Sequence, residues 1–198
     1  MEMTRLEKWF VNRSKKAERN IARVRQRLQE LPSEAIQDVL ELGCGIGSVA
    51  AYLAANYQMN VCGTDYDAEQ IRIARSMQPQ NAHLHYSVED AANLSFQDAS
   101  FDLVVSQNVF HHIPEWKTAT EEIARVLRAG GYFIWLDLAF PKLIRTLFQP
   151  LFKNQSLYCI ADVRRVFQTH KFEQLFYERL IHGLFVHHHL VWQKSEEK

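Results

Sequence analysis

The chain has 198 residues, of which 47% are hydrophobic and 23% are charged, and its formal net charge is zero. This length and composition are typical of one globular domain with a substantial core, and the neutral charge excludes a globally basic nucleic-acid-binding surface. No segment approaches the roughly 20 consecutive apolar residues that a membrane-spanning helix needs.

Cysteine usage and the N-terminus indicate a reducing compartment. The stretch MEMTRLEKWF lacks the apolar core of a signal peptide, so we expect a cytoplasmic protein. Cys44, Cys62 and Cys159 are odd in number, far apart and not in a CxxC pair, which favours reduced thiols over a disulfide or a zinc site. The middle of the chain is acidic and both ends are basic. The basic ends are either solvated helix faces or a surface that contacts phosphates or anionic lipid.

The first predicted element is an amphipathic helix that Pro32 closes. Its apolar stripe steps by four and three through Ala17, Ile21, Val24, Leu28 and Leu31. Its other face carries Arg19, Arg23, Arg25 and Arg27.

Between residues 36 and 138 short apolar runs alternate with amphipathic stretches. The predicted strands are IQDVLELG, MNVCGTD, AHLHYSV, FDLVVSQ and GYFIWLDL. The predicted helices are VAAYLAANY, AEQIRIARSM and WKTATEEIARVLRAGG, the last of which we expect Gly130 and Gly131 to end as left-handed caps. This alternation predicts a Rossmann-like α/β fold, an open and mostly parallel sheet with helices on both faces.

The last third of the chain predicts two helices and a hairpin. Apolar residues step helically through Leu143, Ile144, Leu147, Phe148 and Leu151, with Pro150 expected to kink or stop the turn. ADVRRVFQTH is a second predicted helix, and FEQLFYERLIHGLFVHHHLVWQK predicts two antiparallel strands joined near Gly183, making seven strands in all. We therefore expect one domain over 1–198: an N-terminal helical cap (1–34), a cofactor-binding core (35–138) and substrate-side helices with a C-terminal hairpin (139–198).

The segment VLELGCGIG carries the first functional motif. Gly43, Gly45 and Gly47 follow the first predicted strand, where an open α/β sheet binds its ligand and where glycines let the backbone approach it closely. Asp65 ends the second predicted strand, and a carboxylate there can accept hydrogen bonds from both hydroxyls of a ribose. The motif therefore predicts a nucleoside-like ligand.

Two nucleoside cofactors compete for this site. A dinucleotide fingerprint, GxGxxG, would place glycine where Ser48 stands, and here the glycine comes one residue early, at Gly47. Glu41, ahead of the first glycine, suits a ligand with an ammonium and a sulfonium better than a pyrophosphate. A nicotinamide-dependent reductase remains the alternative.

Four motifs in order resemble the class I S-adenosylmethionine-dependent methyltransferases, especially the branch (methyltransferase type 11) that includes the menaquinone and ubiquinone methyltransferases. They are VLELGCGIG, GTDYD, VEDAANLSFQDASFDLVVSQNVFHHI and EEIARVLRAGGYF, and the resemblance covers residues 36–138. It implies S-adenosylmethionine as the cofactor and methyl transfer as the activity.

The resemblance also implies roles for ten residues. The loop residues Gly43, Cys44, Gly45 and Gly47 would wrap the methionine part of the cofactor, with Glu41 supporting the loop and the ammonium group. Asp65 would hold the ribose, Tyr66 would lie against the adenine, and Asp90 and the Ala91 amide would meet the adenine edge. Ser106 would meet the methionine moiety through its backbone. Ordinary packing and capping are the alternative roles of Tyr66 and Ser106.

The catalytic residues stay open at this point. His111 and His112 are candidates for a general base, and shaping of the cofactor site is an equally good explanation of both. Neighbouring residues on a strand point to opposite faces, so only His187 and His189 of the HHH run share one, and no metal is expected. Without a firm catalytic residue, a non-catalytic cofactor-binding partner protein is a second alternative.

The acceptor is expected to be a small organic molecule, lipophilic in character. SQNV stands where DNA amino-methylating enzymes carry an asparagine-proline-proline-aromatic motif, so no DNA is expected. The segment AFPKLIRTLFQPLF could roof a lipophilic pocket, rest on a membrane surface or pack on the sheet. By the architecture of the family, residues 1–31 would close over the cofactor. The oligomeric state is left open.

Overall fold

The computed structural model describes residues 14–77, 81–142, 146, 157–182 and 185–196, and these residues contain seven strands and five helices. The strands are β1 Asp38–Leu42, β2 Asn60–Asp65, β3 Leu84–Val88, β4 Phe101–Gln107, β5 Leu127–Leu138, β6 Phe172–His182 and β7 Phe185–Lys194. The helices are α1 Ser14–Leu28, α2 Ser48–Tyr57, α3 Ala68–Met77, α4 Trp116–Val126 and α5 Ile160–Thr169. None of the described helices has the length and apolarity to cross a membrane.

The strands form one sheet in the order β3-β2-β1-β4-β5-β7-β6. β1 to β5 are parallel, and β7 lies antiparallel between β5 and β6. The predicted mostly parallel sheet with a C-terminal antiparallel hairpin is therefore confirmed. The chain leaves β3 at one edge and returns in β4 beside β1, so the strand order reverses between β1 and β4, and open sheets of this type bind ligands at the carboxyl ends beside such a reversal.

Helices cover both faces of the sheet, which explains the apolar runs of the central strands. Val39 and Leu40 are consecutive on β1, and both are fully buried. Val39 packs in the cluster that includes residues of α1, α2 and α3, and Leu40 packs in the cluster that includes residues of α4 and α5. A strand buried on both faces shows no polar alternation, as β1 and β4 illustrate.

The predicted end of the α4 helix is wrong. Gly130 and Gly131 do not cap it: α4 ends at Val126, and both glycines lie within β5, Gly130 with a positive φ of 75°. The carbonyls of Ala124 and Leu127 accept hydrogen bonds from Lys194 Nζ, both at 2.7 Å. A lysine at a helix C-terminus satisfies free carbonyls and complements the helix dipole. Because Lys194 comes from β7, this cap was invisible in the local sequence.

The predicted polar face of α1 is wrong at one position. Arg27 is only 1% exposed, and its guanidinium lies 4.0 Å from the ring centroid of Phe176 on β6, with Glu178 Oε2 at 3.6 Å. The predicted apolar stripe is confirmed for Val24, Leu28 and Leu31, which are buried.

Several predictions fall outside the described residues. They are the stripe Leu143, Ile144, Leu147, Phe148 and Leu151, the kink at Pro150 and the turn at Gly183. The helix predicted for ADVRRVFQTH is confirmed as α5.

Candidate functional site

The loop after β1 is bent by three glycines and tied to the end of β2. Gly43, Gly45 and Gly47 all have positive φ, at 66°, 55° and 76°, a conformation that other residues rarely adopt. The Cys44 amide donates to the Thr64 carbonyl at 2.8 Å, and the Gly45 amide donates to Asp65 Oδ2 at 2.9 Å. The glycine motif and the acidic residue at the end of β2 therefore form one structure.

A cavity of about 800 Å³ opens beside this loop, at the carboxyl ends of β1, β2 and β4. Eight of the ten predicted cofactor residues line it: Glu41, Gly43, Cys44, Gly45, Asp65, Tyr66, Asp90 and Ala91. Helix α1 forms part of the wall with Lys16, Ala17, Arg19, Asn20 and Arg23. The volume is in the range of small-molecule and cofactor sites.

Two predicted residues lie outside this lining. Gly47 is the N-cap residue of α2, and a Cβ added there would stand 2.3 Å from the Tyr86 hydroxyl, which donates to the Gly47 carbonyl at 2.9 Å. Its φ and its closeness to Tyr86 account for glycine at this position. Ser106 is completely buried on β4, and the next residue, Gln107, lines the cavity.

Two carboxyl groups with raised pKa values lie at the end of the cavity near β1: Glu41, which is buried, and Asp65, which is half-buried. Burial raises the pKa of Glu41 to about 8, although the Ala50 amide opposes this and the charge of Asp65 adds to it. Burial also raises the pKa of Asp65, against the hydrogen bonds donated by the Asp67 and Gly45 amides. Glu41 Oε2 makes no hydrogen bond within the described part of the chain. A buried carboxylate oxygen without a partner suits a cationic ligand group.

The opposite end of the same wall is open to solvent. Tyr66 is 54% exposed at the cavity, and Asp90 is exposed with its Oδ1 accepting from the Ala92 amide at 2.9 Å. An exposed aromatic side chain beside a carboxylate can stack on a flat ring and accept from its amine. These residues have the chemistry for an adenine.

His111 is paired with a buried carboxylate that sequence reasoning missed. Its Nδ1 lies 2.5 Å from Oδ1 of Asp137, and Asp137 is completely buried at the end of β5. Oδ2 of Asp137 also accepts from the amides of Val109 and Phe110, at 2.9 and 2.7 Å. The signal was present in the sequence, because a charged residue in the apolar run GYFIWLDL is rarely buried without a partner.

The pKa of His111 is raised and that of Asp137 is lowered, and both shifts favour the charged forms of the two side chains. Burial alone would lower the pKa of His111, but the charge and hydrogen bond of Asp137 outweigh it and raise that pKa. Burial alone would raise the pKa of Asp137, and His111 with the nearby amides lowers it. With Nδ1 held by Asp137, Nε2 is the nitrogen of His111 left to face the cavity that this residue lines.

His112 and His187 also line the cavity, and the rings of His111 and His112 are 4.0 Å apart. The other two histidines of the HHH run are not part of the cavity lining. His188 Nδ1 lies 3.0 Å from the Tyr177 hydroxyl, and burial, with the charges of Arg179 and Arg164, lowers the pKa of His188 to about 4. Within the described ranges, no group of three His, Cys, Asp or Glu residues is placed to hold a metal ion.

Gln107 is the other lining residue that sequence reasoning missed. Both atoms of its amide lack a hydrogen-bond partner in the part of the chain that the structure describes, and the residue is 8% exposed. The contact expected for the Ser106 backbone stays a prediction, and Gln107 adds a side chain at the same strand end.

Comparison with known proteins relates the β1 to β5 region, which forms most of the cavity, to a protein family. The methyltransferase domain family matches residues 40–135. The chain is 36% identical over 99 residues to a 2-methyl-6-phytyl-1,4-hydroquinone methyltransferase of Synechocystis sp., covering 50% of this chain and 31% of the relative. It is 38% identical over 100 residues to a fatty-acid O-methyltransferase of Mycolicibacterium smegmatis, covering 50% of this chain and 36% of the relative. The matched region spans about a third of the length of these curated relatives.

The fold is shared with solved structures over most of the chain. The methyltransferase chain in a complex with the Haloferax volcanii Trm112 methyltransferase activator matches with a TM-score of 0.75 and 20% identity. That match covers 90% of this chain and 92% of the other. At 20% identity this similarity establishes a shared fold and nothing about activity.

Proposed function

Because residues 40–135 belong to the methyltransferase domain family, whose cofactor is S-adenosylmethionine, we propose that this chain transfers a methyl group from S-adenosylmethionine to a small lipophilic acceptor. The observation that carries the proposal is the cavity at the carboxyl ends of β1 and β2. There a buried, unpartnered oxygen of Glu41 and the carboxylate of Asp65 lie beside the glycine loop. A cofactor with an ammonium group and a ribose fits these two acceptors.

Different residues of this site would bind different parts of the cofactor. Glu41 would hold the ammonium group, and Asp65, already oriented by the amides of Gly45 and Asp67, would accept from the ribose hydroxyls. Tyr66 would cover the adenine and Asp90 would accept from its amine. The bound cofactor supplies an electrophilic methyl group on a sulfonium. A pyrophosphate would not fit beside Glu41, because this buried carboxyl group offers it no positive charge and repels it in the carboxylate form.

The His111–Asp137 pair would supply the general base. Asp137 fixes the ring and stabilises its positive charge, so that Nε2 can take the proton of an acceptor hydroxyl. The acceptor oxygen then forms its bond to the methyl carbon, and the electrons of the S–C bond stay on sulfur. A raised His111 pKa makes the ring a stronger base, and the base is in its active neutral form above that pKa.

A lipophilic acceptor is supported by the cavity and by the relatives. Val109, Ile113 and Leu138 line the cavity on the side of His111 and give it an apolar surface. The two relatives are named for a phytyl hydroquinone and a fatty acid, both lipophilic.

The test is an acceptor screen with a methyl-labelled cofactor and mass detection, on panels of hydroquinones, phenols and long-chain acids. We expect labelled product from a lipophilic member, and a turnover number that rises with pH through the raised pKa of His111. His111→Gln should lower the turnover number by about 10²- to 10⁴-fold while S-adenosylhomocysteine still binds. Cofactor binding without turnover of any acceptor would identify a non-catalytic cofactor-binding protein instead. A turnover number unchanged by His111→Gln would remove His111 as the base.

A further inference from the structure

The side of α1 that faces the cavity carries a row of positive charges. Lys16, Asn20 and Arg23 follow one another at helical spacing and all line the cavity, with Arg19 beside them at its more exposed border. The acidic side chains of the lining come from the strand ends of the sheet and the loops next to them, and they are Glu41, Asp65, Asp67, Glu89, Asp90 and Glu115. The cavity is therefore polarised, with cations on the helix and carboxyls on the sheet.

These cations have no counter-charge in the part of the chain that the structure describes. Lys16 and Arg23 make no hydrogen bond or ion pair there, and Arg19 donates only to the Lys15 carbonyl, at 3.2 Å. Burial lowers the pKa of Lys16, and the charges of Arg19 and Arg23 lower it further. By contrast Arg27, on the same helix, has Phe176 and Glu178 as partners. Like charges held together in a half-buried wall are unfavourable until an anion joins them.

The row of cations lies near His111, at the end of the cavity where the reaction is proposed to occur. Lys16 is close enough for its charge to act on His111, the proposed base. The cofactor carries one carboxylate, whereas the row carries three cations. That carboxylate can pair with only part of the row, which leaves at least one cation without a direct partner, and the acceptor is the other ligand of this cavity.

We propose that Lys16 and Arg23, with Arg19 at the border, bind an anionic head group of the methyl acceptor, so that the acceptor is a lipophilic acid whose apolar part packs on Val109, Ile113 and Leu138. This inference rests on the proposed function and names the substrate class of the same site. Arginine offers paired donors to a carboxylate or phosphate, and lysine adds a point charge.

The experiment compares a matched acid and alcohol on the full chain saturated with S-adenosylhomocysteine, which occupies the cofactor's own carboxylate position. Decanoate and decan-1-ol, which differ only in the charged head, are titrated by calorimetry at low ionic strength. Decanoate should bind at least about 10-fold more tightly than decan-1-ol, because a charge-assisted hydrogen bond contributes that much or more. The same titrations are run on the double variant Lys16→Gln/Arg23→Gln. Arg25→Gln, on the exposed side of α1, is the control.

The double variant should lose the preference for decanoate and keep its affinity for S-adenosylhomocysteine within about two-fold, and Arg25→Gln should behave as wild type. Equal binding of the acid and the alcohol to the wild type overturns the inference, as does a preference that survives in the double variant. A double variant that loses S-adenosylhomocysteine affinity would assign the cations to the carboxylate of the cofactor and would also overturn it. Failure of the wild type to bind S-adenosylhomocysteine would contradict the proposed function itself, which separates the two failures.

Discussion

Individual glycines in this chain have different reasons for being glycine. Gly47 and Gly130 both have a positive φ, of 76° and 75°. A Cβ at Gly47 would stand 2.3 Å from the Tyr86 hydroxyl, whereas one at Gly130 would meet nothing closer than 3.7 Å. The first position combines backbone strain with a steric conflict, and the second has backbone strain alone.

We therefore predict unequal costs for the same substitution. Gly130→Ala should lower the free energy of unfolding by about 1 to 2 kcal/mol, the cost of a left-handed conformation. Gly47→Ala should lower it by about 2 to 5 kcal/mol, because overpacking against Tyr86 adds about 1 to 3 kcal/mol. Urea denaturation of both variants measures the difference. Equal losses would show that the contact with Tyr86 relaxes freely and that only φ matters.

Glu41 makes both stability and cofactor binding depend on pH. Its pKa in the folded protein, about 8, lies above its ordinary value of 4.5. Between these two pH values the folded state holds the proton more tightly than the unfolded state does. The contribution of Glu41 to stability is therefore largest at low pH and falls as the pH rises towards 8.

We predict that binding of S-adenosylhomocysteine at pH 7 releases a proton from Glu41, because the ammonium group of the ligand needs the carboxylate form. The affinity should rise with pH up to about 8. Calorimetry in two buffers of different ionisation enthalpy measures the released proton. Glu41→Gln should bind more weakly and release no proton from this position. A proton count that is the same in wild type and Glu41→Gln would rule out Glu41 as the ammonium site.

Part of this residue-level chemistry could be predicted from the sequence. Glu41 and Asp65 follow from the positions of β1 and β2, because a parallel sheet brings the ends of its strands together. Gln107 and Asp137 could not be assigned in the same way. Gln107 depends on the exact face of β4, and the role of Asp137 depends on pairing with a residue 26 positions away.

At the scale of elements, α1 is the helix whose position matters most to the site, because it forms the cationic wall of the cavity. It is anchored at its other end by Arg27, whose stem and guanidinium pack on Phe176. Nε and Nη1 of Arg27 have no hydrogen-bond partner in the described residues, so the contact is mainly one of packing and cation–π attraction.

We predict that Arg27→Ala lowers the free energy of unfolding by about 2 to 4 kcal/mol, through loss of this buried contact, and weakens S-adenosylhomocysteine binding as α1 loosens. Arg27→Met keeps the buried stem and removes the charge, so it should cost less than about 1 kcal/mol. Denaturation curves and cofactor titrations on both variants provide the measurement. Equal losses in the two variants would mean that the charge of Arg27, paired with Glu178, holds the helix.

Element boundaries show where local sequence is insufficient. Gly130 and Gly131 were good helix-ending signals, yet α4 ends four residues before the first of them. Register with β4 carries the backbone into the sheet from Leu127 onward, and Lys194 supplies the cap from the far end of the chain. A tertiary contact replaced a local one, and no helix-capping rule applied to residues 116–131 alone could include it.

For the whole molecule, the order of strands and helices was predictable because burial on both faces leaves a strong pattern of short apolar runs. The wall that α1 adds to the cavity was predicted only through family architecture. It depends on packing of α1 against α2 and on the contact of Arg27 with Phe176 of β6, near the other end of the chain. Contacts of such long sequence separation leave no periodicity to detect.

Cofactor choice is a property of the whole folded molecule and can be tested on its melting temperature. A ligand that binds only the folded state stabilises it by about 2.7 kcal/mol at 100 times its dissociation constant. For a chain of this size each kcal/mol raises the melting temperature by about 2 to 4 °C, so S-adenosylhomocysteine at that concentration should raise it by about 5 to 11 °C. NADH and NADPH should leave it unchanged, because Ser48 stands where the dinucleotide fingerprint has its third glycine and Glu41 offers a pyrophosphate no positive charge. Asp65→Ala should lose most of the shift, whereas Glu34→Gln, an exposed change outside the cavity lining, should keep it. Stabilisation by NADH without stabilisation by S-adenosylhomocysteine would identify a reductase site in the same fold and would refute the methyltransferase proposal.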